Sequence, residues 1–197
     1  MILNRRGVRA SFAATMFALS LAIPAAAQNA AFNLSRVHID NFGMVNTNYY
    51  RGAQPRGHDY ADLAALGIKT VVDLTDDDGQ ASEPAMVKSA GMTSFKIPMN
   101  THVPPTSAQL AQFMKIVNDP ANQPVYVHCV GGKHRTGVMT AAYRMTNEGW
   151  TSDKAFSEMK QFKFGAAFLH SEFKQFVYDF KPEPKGSAPT VVALTNQ

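Results

Sequence analysis

The chain has 197 residues, a formal net charge of +4 and a single cysteine. This length suits one domain with a full hydrophobic core, and one cysteine excludes an internal disulfide framework. The first 27 residues hold three arginines and no acidic residue, so the remainder carries a charge of only +1. That balance gives no support for nucleic-acid binding.

The first 27 residues have the features of a secretory signal peptide. Three arginines form a basic start, residues 11–23 are apolar, and Pro24-Ala25-Ala26-Ala27 supplies small residues of the Ala-x-Ala type. The apolar core is shorter than the roughly 20 residues that a membrane span needs. We therefore expect cleavage after Ala27, no stable membrane insertion afterwards, and export to the periplasm or the medium.

Residues 28–180 alternate short strands with helices, which predicts one α/β domain with a central, mostly parallel sheet flanked by helices. The clearest buried strand is Ile68–Leu74, which is β-branched and apolar. Residues 37–40 and 49–51 are predicted to form a leading hairpin, and further strands are expected at 93–98 and 125–128. Helices are predicted at residues 58–66, 83–90, 106–118 and 135–148. Two further helices are expected, one that begins after the capping residue Thr151 and one around Phe173–Phe180.

Residues 181–197 differ in composition from the domain before them. They contain Pro182, Pro184, Gly186 and Pro189, which predicts a flexible C-terminal tail. The apolar run at 190–194 would allow an additional edge strand. The sequence determines neither the role of this tail nor the oligomeric state.

The most specific motif joins the strand at 125–128 to the helix at 135–148, and it reads His128-Cys129-Val130-Gly131-Gly132-Lys133-His134-Arg135-Thr136. Glycines permit a sharp turn, and the loop N–H groups and the positive end of the helix dipole would then converge on one anion. A cysteine in such a field is expected to exist largely as the thiolate. A lone cysteine is more often a small buried hydrophobic residue, but Arg135 adds a planar fork suited to phosphate oxygens.

The motif closely resembles the signature loop of cysteine-dependent protein tyrosine and dual-specificity phosphatases, which is His-Cys, five residues, then Arg-Ser/Thr. Residues 132–137 look most like the atypical dual-specificity branch that includes plant and fungal enzymes active on inositol pyrophosphates. Tyr50–Pro55 and Leu66–Leu74 are similar to the opening of bacterial members. The resemblance covers residues 35–180 and implies a dual-specificity-phosphatase-like fold.

The resemblance implies a mechanism in which Cys129 attacks a phosphate monoester in line and water hydrolyses the phosphocysteine intermediate. Arg135 and the loop amides would bind the phosphate, and Thr136 would donate its hydroxyl to the sulfur. His128 either supports the loop through its ring nitrogens or is a core histidine. No cofactor is implied, and the six histidines show no spacing typical of a metal site. The residues expected to supply the amides are Val130, Gly131, Gly132, Lys133, His134 and Arg135.

The general acid is not identified by the sequence. Many relatives carry an aspartate on a mobile loop upstream of the cysteine, whereas residues 98–105 here contain no carboxylate. His102 on that loop, His134, and the run Asp76–Asp78 are candidates, although the aspartate run also fits a solvated turn. A good leaving group needs little protonation, which favours phosphotyrosine or a pyrophosphate over phosphoserine.

The expected function is that of a metal-independent protein tyrosine or dual-specificity phosphatase, acting on a phosphorylated protein or a small phosphorylated molecule. Lys133 and His134 also suit inositol phosphates or phosphoinositides, or they raise the potential for any phosphate. Two other functions fit the motif less well. A rhodanese-like sulfurtransferase is disfavoured by the Arg135-Thr136-Gly137 ending, and a non-catalytic phosphate-binding module is disfavoured because Cys129 and Arg135 are both present.

Overall fold

The computed structural model describes Leu34 and residues 36–182. The expected signal peptide at 1–27 and the possible edge strand at 190–194 lie outside these residues, as does most of the expected tail. Among the helices of the described residues, none is both long enough and apolar enough to span a bilayer.

A five-stranded sheet forms the centre of the fold. Its spatial order is β1-β2-β5-β3-β4, with β1 antiparallel to β2 and all other neighbours parallel. This confirms the predicted α/β fold with a mostly parallel sheet. The strands are β1 (Gly43–Asn46), β2 (Tyr49–Ala53), β3 (Thr70–Asp73), β4 (Thr93–Lys96) and β5 (Val125–Cys129).

Helices cover both faces of the sheet, and their boundaries follow sequence signals. Thr106 caps the third helix in a reciprocal capping box with Gln109, and Thr151 caps the fifth. Gly149 ends the fourth helix with φ of 66°. In the described part of the chain, a 3-10 helix (Ala167–His170) precedes the last helix. The helices between residues 59 and 179 are α1 (Asp59–Ala65), α2 (Glu83–Ser89), α3 (Ser107–Asn118), α4 (Arg135–Glu148), α5 (Ser152–Gln161) and α6 (Ser171–Asp179).

Two hydrophobic cores lie on opposite faces of the sheet. Along β3, Val71 belongs to the smaller core with Leu63 of α1, whereas Val72 belongs to the larger core with Phe113 of α3 and Val138 of α4. Successive side chains of a strand point to opposite faces, so a strand buried on both sides becomes a continuous apolar run. The strand signal at 68–74 therefore reflects burial on both faces.

The predicted leading hairpin is correct in its second arm and wrong in its first. Residues 37–40 are not a strand, and β1 at Gly43–Asn46 pairs with β2 instead. The turn is tight because the backbone N–H of Asn48 donates to the side-chain oxygen of Asn46 at 3.0 Å. A short turn of this kind requires the first arm to end immediately before it. The carbonyl of Asp40 accepts instead from the N–H of Ala53, at the end of β2 (2.9 Å).

Candidate active site

The signature loop connects the end of β5 to the start of α4. Cys129 is the last residue of the central strand and Arg135 is the first residue of the helix, and both side chains are buried. A cavity of about 250 Å³ opens at this point, and we call it the Cys129 cavity. It brings together most of the predicted site residues, being lined by Asp78, Thr101, Cys129, Val130, Gly131, Lys133, His134 and Arg135.

Gly132 is required by the path of the loop. Its φ is +64°, a conformation that side chains strongly disfavour. A Cβ atom at this position would also overlap the backbone carbonyl of Gly52 and the amide nitrogen of Ala53. The loop is thus packed directly against the end of β2.

Two side chains that the sequence did not identify as part of the site hold the loop from outside. The Arg51 guanidinium donates to the carbonyl of Gly132 at 2.8 Å, and the Asn41 amide donates to the same oxygen at 2.8 Å. The C=O and N–H of a trans peptide point in opposite directions, so the N–H of Lys133 faces away from these two donors. The contacts therefore determine the direction in which a loop amide points.

Arg51 lies in β2, and its side chain is completely buried although it carries a charge. Its guanidinium carbon sits 4.0 Å from the ring centroid of Phe162. Burial lowers the pKa of Arg51, because a charged group in the core loses its hydration. An arginine within the otherwise uncharged strand Tyr-Tyr-Arg-Gly-Ala is the sequence signal that could have indicated this role.

Arg135 forms a two-pronged ion pair with Asp78. Its two terminal nitrogens donate to the two carboxylate oxygens at 2.8 and 2.6 Å, and one of them also donates to the carbonyl of Met99 at 3.1 Å. The hydrogen bonds from Arg135 are the main reason that the pKa of Asp78 is lowered. Burial opposes the charge of Arg135, but the bond to Asp78 and the negative charge of Cys129 together raise the pKa of Arg135.

His128 is a core histidine in this structure. Its ring is fully buried, and Nε2 lies 2.9 Å from a carboxylate oxygen of Glu83. Neither ring nitrogen forms a hydrogen bond of good geometry within the described part of the chain, so the ring does not hold the loop. Glu83 is satisfied by other donors, the amide of Gln54 at 3.0 Å and the hydroxyl of Tyr60 at 3.3 Å.

Thr136 does not make the expected contact with the sulfur. Its hydroxyl oxygen is buried and forms no hydrogen bond to any residue that the structure describes. The backbone carbonyl of Thr136 accepts instead from the hydroxyl of Thr140 at 2.7 Å, one turn later in α4. Thr136 thus contributes to the packing of the helix.

The site and the fold match a known family. Residues 30–175 match a family model described as a DSP-PTPase phosphatase fused to NAD+ kinase. The chain belongs to this family. The membership confirms the resemblance to cysteine-dependent dual-specificity phosphatases that the Cys129–Arg135 spacing indicated.

Curated relatives of this phosphatase domain include fungal and bacterial proteins. Inositol diphosphatase SIW14 of Saccharomyces cerevisiae is 28% identical over 144 residues, covering 71% of this chain and 51% of the yeast protein. Dual specificity protein phosphatase TpbA of Pseudomonas aeruginosa is 29% identical over 125 residues, covering 64% of this chain and 56% of the relative. The chain thus spans about half the length of these two relatives.

Solved structures of the same two proteins share the fold of the phosphatase domain. The catalytic core of SIW14 in complex with citrate has a TM-score of 0.63 and 27% identity, covering 73% of this chain and 86% of the yeast chain. TpbA has a TM-score of 0.62 and 26% identity, covering 72% of this chain and 86% of the other. The architecture built around β5 and α4 is therefore that of atypical dual-specificity phosphatases.

The structure distinguishes the candidates for the general acid of the phosphatase. Asp76 and Asp77 are exposed turn residues, whereas Asp78 lines the Cys129 cavity. His134 also lines it, but its Nε2 lies 2.9 Å from the carbonyl of Phe164, and burial lowers its pKa. His102 is exposed and does not line this cavity. Asp78 is the one carboxylate among the lining residues.

A second cavity, of about 360 Å³, adjoins the first and shares Val130, Gly131 and Lys133 with it. We call it the basic cavity, because His38, Arg56, Lys133 and Lys163 all line it. Asp40 and Asp59 are on its wall as well, and the Asp59 carboxylate accepts from the backbone N–H of Arg56 at 2.7 Å. The side chains of Lys133 and Lys163 are exposed there.

Proposed function

We propose that this protein hydrolyses phosphate monoesters through a phosphocysteine intermediate on Cys129, with a phosphorylated tyrosine, serine or threonine side chain as substrate. One observation carries the proposal. The buried thiol, the Arg135 fork and the N-terminus of α4 all meet at one small cavity. The relatives TpbA and SIW14 bear the names of phosphatases, which agrees with this chemistry.

Two displacements at phosphorus make up the proposed reaction. The Cys129 thiolate attacks phosphorus, an S–P bond forms, and the bond to the leaving oxygen breaks. Water then attacks the phosphocysteine and gives a proton to Asp78, which the first step left as a carboxylate. The S–P bond breaks, the thiolate is restored and inorganic phosphate leaves. Loop amides and Arg135 stabilise the negative charge on the three non-bridging oxygens, and they do so without reorganising during the reaction.

Asp78 acts as the general acid in this proposal. In the free protein its carboxylate occupies the fork of Arg135 with the geometry that a phosphate would adopt. An incoming phosphate takes over the fork, so Asp78 loses the bonds that lower its pKa and can hold a proton beside the leaving oxygen. The same carboxylate thus exchanges a charge-pairing role for a proton-donating role.

A direct test uses p-nitrophenyl phosphate and the mature protein. We expect release of p-nitrophenolate in the presence of a chelator, because thiolate chemistry needs no metal, and we expect Cys129→Ser to abolish turnover. Acid quenching during turnover of labelled substrate should trap phosphate on the wild-type protein and not on this variant. Turnover by the Cys129→Ser variant, or turnover that stops when metal is removed, would contradict the mechanism.

The basic cavity supports a second candidate function, hydrolysis of inositol phosphates. Arg56, Lys133 and Lys163 place three cationic side chains beside the Cys129 cavity, where they would bind additional phosphates of the same ligand. The yeast relative is named an inositol diphosphatase. Under this function, Arg56→Ala and Lys163→Ala raise the KM for phytate and leave the KM for p-nitrophenyl phosphate unchanged.

A substrate panel separates the two candidates. It compares a phosphotyrosine peptide, a phosphoserine peptide, phytate and a phosphoinositide, with Lys115→Ala on the exposed face of α3 as the control for loss of one surface charge. Preference for phytate that depends on Arg56 and Lys163 supports the inositol function. Preference for the phosphotyrosine peptide that does not depend on them supports the protein phosphatase.

We also propose that the protein is exported and acts after cleavage at Ala27. The basic start, the short apolar segment and the small residues before position 28 support this. Cell fractionation and N-terminal sequencing test it. A protein found in the periplasm or the medium and beginning at Gln28 agrees with the proposal, and an uncleaved protein in the cytoplasm contradicts it.

A further inference from the structure

Two histidines and a glutamate converge beside the Cys129 cavity without belonging to it. His102 lies on the loop after β4, whereas His170 and Glu172 lie where the 3-10 helix meets α6. The Nδ1 atoms of both histidines are 3.5 Å from the same carboxylate oxygen of Glu172. The three candidate ligand atoms all lie within 4.8 Å of one another. We call this group the His-His-Glu cluster.

The separations in the His-His-Glu cluster are long for hydrogen bonds. An N–H···O bond joins its heavy atoms at about 2.7–3.2 Å. Ligand atoms of a tetrahedral zinc site, with bonds of about 2.1 Å, are separated by about 3.4 Å. The observed 3.5 Å between each imidazole nitrogen and the carboxylate oxygen fits the second geometry.

The polar atoms of the cluster supply an independent observation. His170 Nδ1 and Glu172 Oε1 are both shielded from solvent, and neither forms a hydrogen bond of acceptable geometry within the described residues. Buried polar atoms are nearly always paired, since an unpaired one costs about 1–3 kcal/mol. A cation held between them would satisfy one lone pair on each. The side chain of His102 is 66% exposed, so a cation has access to the cluster from solvent.

We propose that His102, His170 and Glu172 form a binding site for a divalent transition-metal ion of the zinc type. Two imidazoles and one carboxylate form a ligand set found in zinc proteins, with a fourth position for water. Imidazole ligands favour zinc, copper and nickel, whereas calcium and magnesium favour oxygen ligands. This assignment adds a site that spacing along the sequence did not indicate, because its ligands come from distant segments.

The metal would link two parts of the rim of the active site, next to the signature loop. The His170 ring packs against the His134 ring of the signature loop, with centroids 3.7 Å apart, and stacks on His102 at 5.0 Å. His102 follows Thr101, which lines the Cys129 cavity. A bound ion therefore ties the loop after β4 to the start of α6, beside the signature loop. It takes no part in phosphoryl transfer, and the site stands whether or not the protein is a phosphatase.

Zinc binding to the mature protein tests the site. All variants carry Cys129→Ser, so that the thiolate cannot take the metal, and calorimetry measures the affinity and stoichiometry for Zn²⁺. We expect one equivalent to bind, and His102→Ala and Glu172→Gln each to weaken binding at least about tenfold, as loss of a ligand or its support does. His58→Ala is the matched control, because His58 is another exposed histidine close to a carboxylate, Asp62 at 3.6 Å.

A second measurement controls for folding. Thermal unfolding without metal should be similar in the parent and in His102→Ala, since this side chain is largely exposed. Added Zn²⁺ should raise the Tm of the parent and of His58→Ala, and not that of His102→Ala or Glu172→Gln. Co²⁺ should give the visible absorption of a tetrahedral site in the parent and in His58→Ala, but not in His102→Ala or Glu172→Gln. Equal Zn²⁺ affinity in His102→Ala, Glu172→Gln and His58→Ala, or no binding at all to the Cys129→Ser protein, overturns the proposal.

Discussion

Asp78, which lines the same cavity as Cys129, is paired with Arg135 in the free protein. Asp78 fills both prongs of Arg135, with contacts of 2.8 and 2.6 Å, at the place where substrate phosphate is expected. The carboxylate is 39% exposed and the guanidinium only 4%. Asp78 can therefore move towards solvent when a phosphate arrives, whereas Arg135 is held by α4 and by the carbonyl of Met99.

Replacement of Asp78 tests its role as the acid. We expect Asp78→Asn to reduce kcat about 100-fold for a poor leaving group such as phosphoserine, and far less for p-nitrophenyl phosphate, whose phenolate needs little protonation. The kcat of the parent should fall on the alkaline side as the bound-state acid ionises, and the variant should lack this limb. Steady-state kinetics between pH 4 and 8 provide the measurement.

The control for this experiment is Asp77→Asn, which removes a charge from an exposed neighbour in the same turn. It should leave both the rate and the pH profile as in the parent. The pKa of Asp78 is lowered in the free protein. Since kcat/KM reports the acid of the free enzyme, its descending limb should lie at lower pH than an ordinary aspartate would give, and Asp78→Asn should lack this limb. Unchanged kcat for phosphoserine in Asp78→Asn would exclude Asp78 as the acid.

Gly132 should be intolerant of any side chain. Gly132→Ala places a Cβ atom against the backbone of Gly52 and Ala53 in a left-handed conformation, and backbone cannot move aside as a flexible side chain can. We expect loss of phosphatase activity together with a lower Tm. Gly131→Ala is the matched control for folding, because its Cβ meets only the aliphatic part of Lys133 at 3.7 Å. Similar Tm values for the two variants would contradict this account.

The loops that follow β2, β3 and β5 meet at one edge of the sheet because these three strands are neighbours and parallel. β5 supplies Cys129, the loop after β3 supplies Asp78, and β2 supplies Arg51, whose side chain bonds to the signature loop. Ligand sites of open parallel sheets lie at the carboxyl ends of the strands. The order of the strands therefore assembles this site from segments far apart in the sequence.

Arg51 should matter more for activity than for stability. Arg51→Met removes a charge whose burial lowers its pKa, and replacing such a charge by an apolar side chain is often neutral for folding. The variant leaves the carbonyl of Gly132 with Asn41 alone as a donor, so the loop amides lose part of their orientation. We expect a roughly tenfold loss of kcat, the scale of losing support around a site, with a nearly unchanged Tm.

The experiment needs kinetics and thermal unfolding on the same preparation of Arg51→Met. Arg51→Lys serves as the control for charge alone, because its ammonium lacks the planar fork that spans Gly132 and Phe162. A variant that unfolds at a much lower temperature, or that retains full kcat, disagrees with the proposed separation of roles.

Local sequence signals predicted those helices and strands whose own residues show a burial pattern or a capping residue. Burial on both faces of β3 is matched by the adjacent β-branched residues Val71 and Val72, and Thr106 and Thr151 carry the capping oxygens of their helices. The first arm of the hairpin was missed because Gly43–Asn46 is short and its middle residue, Met44, is exposed. Such a strand is specified by its partner and its turn, and these depend on contacts across the fold.

Within the described residues the longest buried element is α4, whose first eleven residues, 135–145, are all buried. It begins at the active site and packs against α5 and α6, so its position affects the whole domain. Arg144 near its far end bonds to Glu158 of α5 at 2.6 Å and to Glu148 at 2.6 Å. The guanidinium carbon also lies 4.2 Å from the ring centroid of Trp150.

The Arg144–Glu158 pair should stabilise the whole fold. Glu158→Gln removes one partner of an ion pair whose side chains are about nine-tenths buried, and we expect a loss of about 3 kcal/mol in the free energy of unfolding. The more exposed Glu148→Gln is the control, with an expected loss of about 0.5 kcal/mol. Urea denaturation measures both. Equal losses in the two variants would show that burial of the pair does not matter.

The candidate site was predictable only in part. Cys129, Arg135 and the loop between them stand next to one another in the sequence, so their spacing alone indicated an anion site. The contacts of Arg51 and Asn41 with Gly132, and the pairing of Asp78 with Arg135, join residues that are 81, 91 and 57 positions apart in the sequence. Only the packed fold establishes these contacts, so the acid half of the mechanism required the three-dimensional structure.

The Asp78–Arg135 contact has a consequence for which anions can enter. A carboxylate tethered to the same chain acts as a built-in competitor, whose effective concentration does not change when the medium is diluted. Every incoming anion must displace it, so the affinity of all anions falls by the same factor. We expect chloride and simple carboxylates to bind too weakly to overcome that penalty, whereas a doubly charged phosphate should gain enough from Arg135 and the loop amides. The Asp78 carboxylate would thus keep weakly bound anions away from Cys129 in the free protein.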